Sequence, residues 1–99
     1  QVIINLLTNS IYAVAEIDHK AIEVMLYTEG KRIFITVSDS GPLIDKDILP
    51  KIFLPFYTTR KAGAGIGLAL SKSIIEGHNG YLYYREINGR NMFVISLVV

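Results

Sequence analysis

Strand-like segments in this chain come as adjacent pairs, and that pairing sharply limits the folds open to it. Ile22, Val24 and Leu26 alternate with other side chains, and so do Ile33, Ile35 and Val37, the two-residue period of a half-covered strand. Thr28-Glu29-Gly30-Lys31 between them reads as a hairpin turn, with Gly30 free to take positive φ. Tyr81 to Glu86 and Asn91 to Val99 read as a second hairpin around Asn88-Gly89, the strongest short turn signal in the chain. Hairpins make antiparallel neighbours, whereas a doubly wound parallel sheet needs a helix between successive strands.

Helical spacing fills the rest. From Gln1 to about Ala15, residues Ile3, Leu7, Ile11 and Val14 recur at three- and four-residue steps, while Asn5, Asn9 and Tyr12 fall on a different stripe. Asp39-Ser40-Gly41-Pro42 breaks the second strand, and Asp45 is placed to cap a short helix running to about Phe53, kinked or restarted by Pro50. Gly65 to Glu76 is helical through Ile66, Leu70, Ser73 and Ile74, with Gly77 or Asn79-Gly80 as the stop. The order helix, hairpin, short helix, loop, helix, hairpin predicts a two-layer α/β sandwich. Its sheet is mixed and mostly antiparallel, covered by helices on one face.

With 51% apolar residues in 99, a single packed domain is affordable, and so high a fraction means either a tight core or an apolar face that meets another segment or subunit. Ten basic against nine acidic residues give a net charge of +1, and the basic ones are scattered, so no footprint for nucleic acid exists. Cysteine is absent, which excludes disulfides and thiolate metal sites and suits the cytoplasm. No apolar run has the length of a membrane span.

Four constellations carry chemistry. Asn5 and Asn9, one helical turn apart, offer two carbonyl oxygens to a hard cation such as Mg²⁺, or form an ordinary polar face. Asp39-Ser40-Gly41 at a strand end sets a carboxylate to accept from an exocyclic amine and lets a flat ring approach the backbone, although an Asx turn uses the same residues. Gly63-Ala64-Gly65-Ile66-Gly67 before a helix exposes backbone N–H groups that suit phosphate; neither a dinucleotide fingerprint nor a Walker A loop fits the spacing. Phe53-Leu54-Pro55-Phe56-Tyr57-Thr58-Thr59-Arg60 joins structural aromatics to hydroxyls and a cation for phosphate.

In their order along the chain, with the Phe53 segment ahead of the Gly63 segment, the four resemble the catalytic domain of the sensor histidine kinases, in the superfamily shared with DNA gyrase, the Hsp90 chaperones and the MutL proteins. Gln1 to Asn9 looks like the family's N box, Asp39 to Ile44 its G1 box, Phe53 to Arg60 its F box and Gly63 to Leu70 its G2 box. The resemblance spans residues 1–99 as one domain of the Bergerat ATP-binding fold, without a strand and part of a helix that usually precede the N box.

The resemblance implies ATP and Mg²⁺ as cofactors. Asn9 would ligate the metal, with Asn5 assisting; both are the catalytic candidates. Asp39 would read the adenine amine, Gly41 would give the ring room, and Ile44, Ile66 and Leu68 would line it. The backbone of Gly63, Gly65 and Gly67 would hold phosphates with Thr59 and Arg60 nearby. Tyr12 stands where many relatives carry a phosphate-binding Lys. A Glu activates water at position 5 in the ATPases of the superfamily, and Asn5 cannot serve as that base, which favours a kinase over an ATPase. The acceptor histidine, on a separate dimerisation domain, is not here: His19 is followed by Lys20 and His78 by Asn79. Implied partners are that domain and a downstream response regulator, in the cytoplasm whether or not the parent protein is anchored in a membrane. Leu43 departs from the family's second G1 glycine, which raises the alternative of a degenerate docking module. A serine kinase or ATPase of the same superfamily is the other alternative. An apolar face left uncovered predicts self-association.

Overall fold

The computed structural model describes residues 1–57 and 67–98. Helix α1 spans Val2–Val14, strands β1 and β2 span Ile22–Glu29 and Arg32–Asp39, helix α2 spans Gly67–Gly77, and strands β3 and β4 span Tyr81–Ile87 and Arg90–Val98. Both hairpins close where the turn residues stand: Gly30 at φ 62° in the first, Asn88 and Gly89 at φ 51° and 75° in the second. The sheet order is β1-β2-β4-β3, so the two hairpins meet through β2 and β4. Every pairing among these strands is antiparallel, in keeping with the mostly antiparallel sheet expected.

The register sets one face of the sheet against the helices. Val37, Leu82, Phe93 and Ile95 point inward and pack on Val2, Leu6, Ile52 and Ile75. Phe93 lies at the centre, edge-on to Tyr84 (5.5 Å between centroids) and to Phe53 (6.3 Å). β1 has little such cover among the described residues: in its inward phase Val24 is 49% and Leu26 70% exposed.

Four local expectations are corrected. The buried stripe of α1 is Val2, Leu6, Ser10 and Val14, while Ile11 faces outward. In α2 it is Ser71 and Ile75, while Leu70 and Ser73 are exposed. Both helices bury a serine, and Ser10 goes inside because it has a buried partner described below. The segment from 45 to 53 forms only a 3₁₀ turn at Leu49–Lys51, because Pro50 offers no N–H to extend it. Asp45 caps nothing through its side chain; its carbonyl accepts the N–H groups of Ile48 and Leu49. Of the two aromatics expected to be structural, Phe53 packs against the core and Phe56 is exposed, at φ 67°.

α2 ends as the glycine and asparagine signals indicate. Asn79 takes the left-handed conformation (φ 60°), and the N–H groups of Asn79 and Gly80 return to the carbonyls of Glu76 and Ile75 at 3.0 Å each. Gly80 then passes so close to β4 that a Cβ there would sit 2.6 Å from the Ser96 carbonyl oxygen.

Candidate functional site

Asp39 is the last residue of β2 and stands directly opposite Asn91 of β4, both on the inward face. Its carboxylate is 3% exposed, and a buried charge persists only when its oxygens are met by donors. Asp39 Oδ1 accepts the Gly41 N–H at 2.9 Å and Asn91 Nδ2 at 3.1 Å; Oδ2 accepts the Ser10 hydroxyl at 2.9 Å. A carboxylate oxygen can accept two hydrogen bonds, so among the described residues Oδ2 keeps a lone pair open. The Asx turn that explains Asp39-Ser40-Gly41 without a ligand is therefore formed, and it leaves an acceptor to spare.

Asn91 ties the next residues down. Its Nδ2 also donates to the carbonyls of Pro42 (2.9 Å) and Gly41 (3.3 Å), and its Oδ1 accepts the Tyr84 hydroxyl (2.5 Å) and the Ile44 N–H (3.3 Å). Donors on one side and acceptors on the other fix which way the amide faces. Ser40, in the middle, accepts the Ala21 N–H at 2.8 Å and donates to the His19 carbonyl at 2.7 Å, pinning the connection into β1. Burial pushes the Tyr84 hydroxyl above the ordinary tyrosine value of 10.0, the charges of Glu86 and Asp39 add in the same sense, and the Ile44 backbone opposes them. Tyr84 is thus a proton donor throughout the neutral range.

Gly41 has a structural reason to be glycine. A Cβ there would lie 2.8 Å from both the Cβ and the carbonyl oxygen of Ala13, so α1 already occupies the space beside it. Leu43, at the departure from the family pattern, does not have a positive φ and is 42% exposed, so this backbone imposes no left-handed strain on it.

The second polar group lies where α1 meets α2. Asn5 Nδ2 donates to Ser71 Oγ at 3.1 Å and to the Gly67 carbonyl at 3.4 Å, while its Oδ1 accepts Gln1 Nε2 at 3.3 Å. The side chain of Asn9, half-buried one turn on, has no hydrogen-bond partner among the described residues. Tyr12 follows on the same stripe at 53% exposure. α1 therefore joins the two groups, through Ser10 to Asp39 and through Asn5 to α2. Ile44 and Leu68 are half-buried against the core. Thr59, Arg60, Gly63, Gly65 and Ile66 lie outside the described residues, as does most of the glycine segment. Among the described residues no three His, Cys, Asp or Glu side chains gather to hold a metal. A cation here would rely on amide oxygens such as that of Asn9 and on oxygens of its ligand, a set that suits Mg²⁺.

Sequence reasoning missed Ser10, Tyr84 and Asn91. Each stands in the inward phase of its element, Ser10 with Leu6 and Val14, Asn91 with Phe93 and Ile95. A polar residue in a buried phase was the available signal.

Among the described residues no helix is long and apolar enough to cross a membrane. The family described as histidine kinase-, DNA gyrase B- and HSP90-like ATPase matches residues 1–98. The sensor histidine kinase ZraS of Salmonella typhimurium is 41% identical over 101 residues, covering 100% of this chain and 21% of that protein. The C4-dicarboxylate transport sensor protein DctB of Rhizobium meliloti is 35% identical over 97 residues, covering 98% of this chain and 16% of its own length. This chain thus spans about a fifth of the curated relatives it matches. The catalytic domain of the histidine kinase ThkA superposes with a TM-score of 0.87 at 32% identity, covering 99% of this chain and 64% of that one. A mycobacterial sensor histidine kinase, MprB, shares the fold at 21% identity with a TM-score of 0.86, covering 98% and 69%. The chain belongs to the histidine kinase-, DNA gyrase B- and HSP90-like ATPase family, and within it corresponds to the catalytic ATPase part of the sensor histidine kinases.

Proposed function

We propose that this chain binds ATP with Mg²⁺ and delivers the γ-phosphate to a histidine on a separate dimerisation domain, for relay to a response regulator. The observation that carries the reading is the buried Asp39 carboxylate at the end of β2, whose Oδ1 holds the Gly41 N–H and whose Oδ2 retains an open lone pair among the described residues. An exocyclic amine is the natural donor for that position. Asn9, on the face of α1 that continues from Asn5, would supply an oxygen to Mg²⁺. When bound, the metal would offset the charge of the phosphates. Thr59, Arg60 and the backbone of Gly63, Gly65 and Gly67 would hold the phosphates, with Tyr12 at the rim. Asn5 is neutral and already bonded to Ser71, so it cannot take a proton from water, and direct hydrolysis should be slow.

ThkA has been crystallised in complex with the response regulator protein TrrA, which supports a response regulator as the downstream partner here. The alternative of a degenerate docking module rested on Leu43 being strained or crowding a nucleotide, and of these the backbone strain is absent. The uncovered Val24 and Leu26 of β1, with Ile4 and Ile11 of α1, support self-association, which light scattering across concentrations would read.

Calorimetric titration with a non-hydrolysable ATP analogue tests the reading. Mg²⁺-dependent binding that is lost in Asp39→Asn is the expected result, because the amide would present a donor to the amine in one orientation and weaken the buried network in the other. No binding at nucleotide concentrations of about 1 mM, an affinity near 4 kcal/mol, would overturn it. Phosphate transfer from labelled ATP to an added histidine-bearing dimerisation domain then tests the acceptor.

A further inference from the structure

We propose that Asn91, held in place by Tyr84, is a positioning residue for the nucleotide: it presents the Asp39 carboxylate and the 41–44 segment in the one arrangement that leaves Oδ2 open. The inference rests on the nucleotide-site reading above and assigns a task to two residues outside the four motifs.

The geometry supports it in three ways. Asn91 reaches four partners along consecutive turns of the site: Asp39 itself, the carbonyls of Gly41 and Pro42, and the N–H of Ile44. It therefore couples the carboxylate that would meet the amine to the residue whose side chain would lie beside the ring. Second, its contact with Asp39 is on Oδ1, which with the Gly41 N–H fills that oxygen and leaves the spare lone pair on Oδ2. Losing Asn91 would open Oδ1 as well, and the carboxylate could rotate between two presentations. Third, the amide has no freedom to flip: turning it would set Oδ1 against the Asp39 oxygen and two carbonyls, and Nδ2 against the Ile44 N–H. Tyr84, packed edge-on against Phe93, supplies the hydroxyl that holds the Oδ1 side. Asn91 is 3% exposed, and with these bonds made its own polar atoms are occupied, so its effect reaches a ligand through Asp39 and the loop. It is a positioning residue, not a catalytic one.

A purely structural role and a positioning role differ in what they do to selectivity. The readout is therefore the ratio of affinities for ATP and for inosine triphosphate, in which a carbonyl replaces the amine. The parent chain is compared with Asn91→Ala and with Tyr84→Phe, which keeps the ring and removes only the hydroxyl. Thermal melting confirms that each variant is folded. The expected result is an ATP-over-inosine preference reduced about tenfold in Asn91→Ala and about threefold in Tyr84→Phe, the scale of one or two neutral hydrogen bonds. If Asn91→Ala does not fold, Tyr84→Phe alone carries the test. A parent chain that binds ATP and prefers it, with the preference unchanged in the folded variants, overturns this inference and leaves the nucleotide site standing. A parent chain that binds neither nucleotide overturns both.

Discussion

Helix α1 makes two polar attachments to the rest of the molecule, and they differ in kind. Near its C-terminal end, Ser10 donates to a carboxylate that is almost wholly out of water and that Gly41 and Asn91 also help to satisfy. Near its N-terminal end, Asn5 exchanges neutral hydrogen bonds with Gln1, Gly67 and Ser71 at a half-buried place. The first is a charge-assisted contact in a dry setting, where a missing partner leaves an uncompensated ion. The second competes with water on nearly equal terms. The same helix is thus fixed firmly where the base would lie and held lightly where the phosphates would lie. Burial of the carboxylate decides this, since the number of bonds is similar at both ends.

The contrast can be broken by experiment. Asp39→Ala should have the largest effect, destabilising the chain by about 3 kcal/mol in denaturant unfolding, because Ser10, Gly41 and Asn91 would lose a shared acceptor in the interior. Next comes Gly41→Ala, at about 2 kcal/mol, since the new methyl would collide with the backbone of Ala13 and lift α1 from its seat. Ser10→Ala should lose about 1 kcal/mol and Asn5→Ala about half of that or less. If Asn5→Ala proves as damaging as Ser10→Ala, the two ends of the helix are equivalent and the contrast fails. The smallest effect is one of pH. Tyr84 holds its proton more tightly folded than unfolded, so the native chain binds more protons above the ordinary tyrosine value of 10.0, and stability falls as pH rises beyond it. Tyr84→Phe should remove that part of the alkaline decline, as read by melting temperature against pH.

The hairpins could be read directly because their signals are local: Gly30 and Asn88-Gly89 each specify a turn that needs no distant partner. Asp39 was legible for the same reason, as a strand-ending turn residue. The helical stripes were not, because counting apolar positions assumes that a buried face is apolar. Ser10 displaced Ile11 from the inside by serving Asp39, a residue 29 positions away that sequence spacing does not connect to it. Ser71 does likewise in α2, as the acceptor for Asn5 across 66 positions. The alternation of β1 looks the same as that of β3, yet α2 packs over β3 while Val24 and Leu26 stay largely exposed. Periodicity states which residues share a face and is silent about what lies against it. The four motifs were found by order and type, whereas Asn91 follows a turn and reads simply as the start of a strand.

The sheet order has a consequence for how such a domain can change over generations. β2 ends at Asp39 and β3 begins at Tyr81, so everything between them is one long excursion whose two ends are anchored on neighbouring hairpins. Each hairpin closes on its own few residues, and the excursion has no say in either register. Lengthening a loop within it to twice its span adds only about 0.6 kcal/mol of closure entropy. A loop within this stretch, away from Gly41, Ile52 and the packed α2, can therefore change in length while the frame that receives it stays the same.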